Sequence, residues 1–153
     1  MIISQLIFAD IKQNIMKNLS TIILLVFIPI IISAQELHIY GGEKHDVYLG
    51  CLNCDKFDSK SIWNAYGSYG SKYSATSIWN AYGSYGGKYS QYSPFNNYTN
   101  SPPSIVDNQG GFYGYLSSNN FVTNRASFSL ANTICKYWEE IKEDVSSWYD
   151  EIF

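Results

Sequence analysis

Cys51-Leu52-Asn53-Cys54 has the sharpest chemical options in this chain. Two thiols three positions apart can close a tight disulfide, the outcome that an oxidising compartment favours. They can also ligate a metal. His38, His45, Cys51 and Cys54 lie within 17 residues, and two imidazoles with two thiolates make a competent tetrahedral zinc set. The order of those ligands is unusual, however, and no second C-x-x-C completes a four-thiolate site. A thioredoxin-like redox pair should open a helix within a βαβ pattern, which the flanking sequence lacks. Reduced, inert cysteines are the remaining option. The favoured expectation is a Cys51–Cys54 disulfide and no cofactor, with zinc at His38, His45, Cys51 and Cys54 as the alternative. Cys135 has no local partner. It falls in an apolar helical pattern, as a buried small hydrophobe would.

Catalytic groups are harder to assemble. Nucleophilic catalysis needs a base within reach of its nucleophile. His45-Asp46 offers a base and an orienter, but adjacent residues seldom point the same way, and no Ser sits in an elbow motif. Glu36, Asp46, Asp55 and Asp58 are available as carboxylates, with no spacing that singles out the pair a glycosidase requires. The Asp55/Asp58 pair lacks the glycine-bearing ligand spacing of a calcium loop. No phosphate-binding glycine loop precedes a helix. A non-enzymatic role is the expectation, and a hydrolase of unspecified type the last of three options after a binding module and a metal-binding protein.

The aromatic residues are more regular. Residues 61–76 read SIWNAYGSYGSKYSAT and residues 77–92 read SIWNAYGSYGGKYSQY, a period of 16. A partial copy follows at 93–98, where Ser93, Phe95, Asn96 and Tyr98 repeat Ser77, Trp79, Asn80 and Tyr82. Lys56 and Phe57 sit one period before Lys72 and Tyr73. Ser61 and Ser77 are good N-caps, Ile-Trp-Asn-Ala-Tyr is expected to make one helical turn, and Gly67 and Gly83 are expected to end it in the left-handed conformation. Asn64, Asn80 and Asn96 should close the turns they sit in. One copy cannot bury its own aromatics but stacked copies can, so Trp63, Trp79 and Phe95 should take equivalent packed positions. Low-complexity disorder is the competing reading; the fixed offsets of Ile, Trp and Tyr argue against it. Exposed members of Tyr66, Tyr69, Tyr82 and Tyr85, with Asn64 and Asn80, are the candidate binding residues. Aromatic planes beside amides and hydroxyls suit a glycan or cell-envelope polymer. Core filling is the alternative use of the same rings.

The elements that would position these groups follow from periodicity. Leu37 and Ile39 alternate with His38 and Tyr40, and Val47, Leu49 and Cys51 alternate with Tyr48, which predicts a hairpin turning over 43–46. Ile105 and Val106, a polar Gly-bearing turn over 107–111, and 112–116 predict a second. Phe128, Leu130, Ala131, Ile134, Cys135, Trp138 and Ile141 mark one helical face, running to the end of the chain or breaking near Ser146-Ser147. The expected fold class is α+β: two hairpins in a small antiparallel sheet, a turn-rich tandem aromatic repeat, and a C-terminal helix packed on the sheet.

The address is read from the N-terminus. From Met16, Lys17 precedes an apolar run over 22–32, and Ala34 stands before Gln35, the layout of a signal peptide cleaved after residue 34. The run is shorter than the roughly 20 residues that span a bilayer. Translation is expected to start at Met16, leaving one secreted or periplasmic domain over 35–153, a monomer with no membrane span after cleavage. The chain carries 13 acidic against 10 basic residues. Without a basic cluster, nucleic acid is not an expected partner.

Leu37-His38-Ile39-Tyr40-Gly41-Gly42, His45-Asp46-Val47-Tyr48-Leu49-Gly50-Cys51-Leu52-Asn53-Cys54, the Ser-Ile-Trp-Asn-x-Tyr-Gly repeats, Ser93-Pro94-Phe95-Asn96 and Gly111-Phe112-Tyr113-Gly114-Tyr115 resemble a family of small secreted bacterial proteins of unknown function. The resemblance covers nearly all of 35–153. It implies export and a compact domain, implies a Trp where this chain has Phe95, and brings no catalytic residue.

Overall fold

The computed structural model describes residues 7–8, 10–15 and 35–153. The chain divides into two compact units, Met1–Ala34 and Gln35–Phe153. In the first, residues 7–8 and 10–15 are helical. The expected start at Met16, the apolar run over 22–32 and the cleavage position after residue 34 lie outside the described residues. No described helix is long and apolar enough to cross a membrane.

The second unit is α+β. Strands β1 (Leu37–Gly41) and β2 (Val47–Cys51) form the first hairpin, and β3 (Ser104–Asp107) and β4 (Phe112–Tyr115) the second. β1 and β3 pair antiparallel, which gives the order β2-β1-β3-β4. Ile39 and Ile105 face each other in that central pair, and both are fully buried. The period-two alternation therefore places its apolar set on one face, as a half-buried sheet requires. Helix α1 (Ser129–Ile141) buries Ala131, Ile134, Cys135 and Ile141. Helix α2 (Val145–Ile152) follows after a break over 142–144. The break falls before Ser146-Ser147 because Asp144 caps α2: its carboxylate accepts from Ser147 N at 3.1 Å and Ser147 Oγ at 2.7 Å.

Between β2 and β3 the repeats form a relay of linked turns, not helical turns. The amide of every third residue donates to the carbonyl three before it: Asn64 to Ser61, Gly67 to Asn64, Ser74 to Ser71, Ser77 to Ser74, Asn80 to Ser77 and Gly83 to Asn80. One four-residue step per copy, Ser71 to Gly67 and Gly87 to Gly83, brings the period to 16. Ser and Asn win over the helix because their side chains satisfy the local backbone. The Ser61, Ser77 and Ser93 hydroxyls each accept from the amide two residues on at 3.1 Å. Gly67 and Gly83 do not adopt positive φ. The glycines that matter are Gly70 and Gly86. A Cβ on Gly70 would lie 2.2 Å from Asn64 O, and one on Gly86 2.4 Å from Asn80 O and Ile78 O.

The copies stack. Trp63, Trp79 and Phe95 are buried in equivalent positions, with ring centroids 5.8 Å apart at both steps, and Trp138 of α1 closes the ladder 4.7 Å from Phe95. Each indole also ties its copy to the chain before it. Trp63 Nε1 donates to Leu52 O at 2.7 Å, and Trp79 Nε1 to Ile62 O at 2.6 Å.

Candidate functional site

The turn relay sorts the repeat tyrosines into two kinds. Tyr69 and Tyr85 are half-buried and pack against the core. Each covers a strand glycine. A Cβ on Gly50 would lie 2.7 Å from Tyr69 Cβ, and one on Gly41 would lie 3.1 Å from the Tyr85 ring. They dock the repeats on the sheet. Tyr66 and Tyr82 project into solvent, and Tyr98 joins them one period further on. A second row, Phe57, Tyr73 and Tyr89, is offset by half a copy. All six rings expose between 82% and 101% of their free area. Sequence spacing alone could not separate the two kinds, because Tyr66 and Tyr69 are each flanked by glycine.

Asn64, Asn80 and Asn96 hold the first row in place. Their Oδ1 atoms accept from the amides of Tyr66, Tyr82 and Tyr98 at 3.2, 3.1 and 2.9 Å. Their Nδ2 atoms donate to the carbonyls of Asp58, Ser74 and Ser90 at 3.2, 3.0 and 3.1 Å. Both ends of the Asn64 and Asn80 amides are thus engaged within the turns, and what these residues contribute to the face is the fixed direction of the tyrosine two positions on.

Grooves lie between the exposed rings. One of about 360 Å³ is bounded by Tyr66 and Tyr73, and one of about 380 Å³ by Tyr73 and Tyr82 with Trp79 and Asn80. Lys72, Lys142 and Glu143 line both. Lys72 Nζ sits 3.5 Å from Glu143 Oε2, and Lys142 Nζ lies 4.7 Å from the Trp138 ring centre, within cation–π range. The grooves therefore combine apolar walls with hydrogen-bonding groups of both charges.

The cysteine cluster takes the disulfide form. Cys51 and Cys54 are bonded, with Cα atoms 5.5 Å apart. Sulfurs that share a bond offer no thiolate, so the zinc alternative at His38, His45, Cys51 and Cys54 is not assembled. The histidines are also separated in role. Glu36, His38 and Cys51 bring ligand atoms within 4.8 Å of one another, and His45 is not among them. His38 Nδ1 is 3.0 Å from Tyr48 Oη and its Nε2 is 3.4 Å from Glu36 Oε2. His45, in the β1–β2 turn, donates from Nε2 to Pro102 O at 2.9 Å. Burial, then the neighbouring Tyr40 and Tyr69, pushes the Tyr48 phenol upward. Cys135 is buried and free, and burial pushes its thiol up to about 11.

Comparison with protein-family models, with curated proteins and with solved structures found no match to this chain.

Proposed function

We propose that residues 35–153 form a non-enzymatic binding module, exported to the periplasm or beyond the cell, that holds a glycan or cell-envelope polymer on the exposed aromatic rows. The observation that carries this reading is the full exposure of Phe57, Tyr66, Tyr73, Tyr82, Tyr89 and Tyr98 on a backbone of closed turns. Leaving a large apolar side chain in water forgoes roughly 1.5–3 kcal/mol of burial, and concentrated exposed apolar area usually marks an interaction site. A backbone that is already fixed adds no loop-ordering cost to binding, and a tyrosine ring has only two χ angles to immobilise. The apolar faces of sugar rings suit stacking on tyrosine. Their hydroxyls suit Lys72, Lys142 and Glu143 in the grooves. The signal-like N-terminus and the disulfide support export.

A panel of immobilised glycans and purified cell-wall polymers tests the reading. Wild-type protein should bind at least one polymer, and Tyr66→Ala/Tyr82→Ala should weaken that binding more than tenfold, about 1.4 kcal/mol, with its melting temperature unchanged. Binding to no polymer, or equal binding by the double variant, would remove the proposal.

A further inference from the structure

The loop between β4 and α1 contains a turn that the 16-residue period does not reveal. Asn119 Oδ1 accepts from Phe121 N at 3.0 Å, and Val122 N donates to Asn119 O at 3.3 Å. Those are the bonds made at Asn96, where Oδ1 accepts from Tyr98 N at 2.9 Å and Thr99 N donates to Asn96 O at 3.1 Å. In each case the residue two after the Asn is an aromatic ring in solvent; Phe121 is 94% exposed.

The loop is also seated on the array in the manner of another copy. Asn119 is buried, and its Nδ2 donates to Thr99 O at 3.0 Å. This fastens the new turn to the one that carries Tyr98. Ser118 N donates to Pro94 O at 2.7 Å. Pro94 precedes Phe95 as Ile62 precedes Trp63, so this bond takes the place that Trp79 Nε1 takes on Ile62 O. The β3–β4 hairpin intervenes between residues 99 and 117, which hides the equivalence in the sequence. Beside Phe121 opens a cavity of about 530 Å³ whose walls include Glu43, His45, Asn100, Tyr115 and Thr123. It supplies donors and acceptors next to an apolar ring, the pairing that small-molecule and sugar sites use.

We propose that residues 119–122 form a fourth presenting turn, and that Phe121 with this cavity is a terminal subsite for the same polymer. The occupant is then a linear, hydroxyl-rich polysaccharide that runs from Tyr66 past Tyr82 and Tyr98 to Phe121. The inference rests on the glycan reading above. Tyr66, Tyr82 and Tyr98 recur at the 16-residue period on stacked copies, so a chain of repeating units meets equivalent contacts along the array.

The test uses the full-length protein with soluble cello- and chito-oligosaccharides, disaccharide and long oligomer, measured by calorimetry. Phe121→Ala should weaken the long oligomer about tenfold and leave the disaccharide unchanged, and Phe121→Tyr should restore the long-oligomer affinity. Tyr82→Ala should weaken both. If Tyr82→Ala weakens binding and Phe121→Ala does not, the terminal subsite is wrong and the aromatic face stands. If neither substitution alters the binding of an oligomer that the wild-type protein holds, both fall; if the wild-type protein binds none of them, the linear-polysaccharide subsite falls and the polymer panel above decides the aromatic face.

Discussion

Replacing Trp79 with Phe isolates the bond that joins one repeat to the one before it. Trp79 is 1% exposed and lies 5.8 Å from both Trp63 and Phe95. Its Nε1 donates to Ile62 O at 2.6 Å, and that carbonyl makes no other hydrogen bond among the described residues. Phe95 shows that a phenyl ring fits this position of the ladder. The substitution therefore leaves the stack in place and strands a buried acceptor, which costs about 1–3 kcal/mol. The smaller ring also loses roughly two methylene equivalents of buried area, about 1.6 kcal/mol. The sum is about 2.6–4.6 kcal/mol, or a fall in Tm of roughly 10–18 °C for a domain of this size. Urea unfolding followed by circular dichroism measures it, with an unchanged m-value as the sign that both end states are intact. Trp148→Phe is the comparison, since Trp148 is half-buried against Tyr137 and its indole donates to nothing among the described residues. A loss at Trp79 no greater than the roughly 1.6 kcal/mol of buried area, or an equal loss at Trp148, would refute the view that indole–carbonyl bonds lock the copies together.

Further outcomes follow from the same geometry. Gly86→Ala should destabilise by at least about 2 kcal/mol in the same urea assay, because its Cβ would meet two backbone oxygens at 2.4 Å; a neutral result would contradict the close approach. Thiol titration of non-reduced protein should count none in the native state and one, Cys135, after denaturation; three after denaturation alone would contradict the disulfide. The Cys135 thiol is raised by burial from 9.0 to about 11, so folding retains the proton more tightly than the unfolded chain does. The stability that this contributes is complete below about pH 9 and is lost as pH rises through 11, roughly 2–3 kcal/mol at 1.36 kcal/mol per unit. Cys135→Ala should flatten the stability curve between those pH values, leaving the slope due to Tyr48, whose phenol is also raised.

Much of the scaffold was legible in the sequence, and for physical reasons. Period two at Leu37–Gly41 and Val47–Cys51 reports a sheet with one buried face. The recurrence of Trp63, Trp79 and Phe95 reports stacking, since no single copy can bury such rings. Asn64, Asn80 and Asn96 close turns as their side-chain chemistry suggests. The form of the repeat was not legible. Ser-Ile-Trp-Asn-Ala-Tyr has the cap and length of a helical turn, but Ser and Asn at the three-residue steps let side chains satisfy the backbone there. The candidate face was half legible. Tyr66 and Tyr69 differ only in which way the turn aims them, and that depends on where the sheet offers Gly41 and Gly50. Phe121 was missed because its kinship to Tyr98 lies in hydrogen bonds formed across an inserted hairpin.

The aromatic face is tested most directly by ring resonances. Protein with carbon-labelled tyrosine and phenylalanine rings is titrated with soluble fragments of the polymer that it binds, and the shifts are assigned by single Tyr→Phe substitutions. Tyr66, Tyr73 and Tyr82 should shift together and saturate at one affinity, while Tyr69 and Tyr85, docked over the sheet, stay still. Shifts confined to Tyr69 and Tyr85, or to rings outside the two rows, would contradict the proposal that this face holds the ligand.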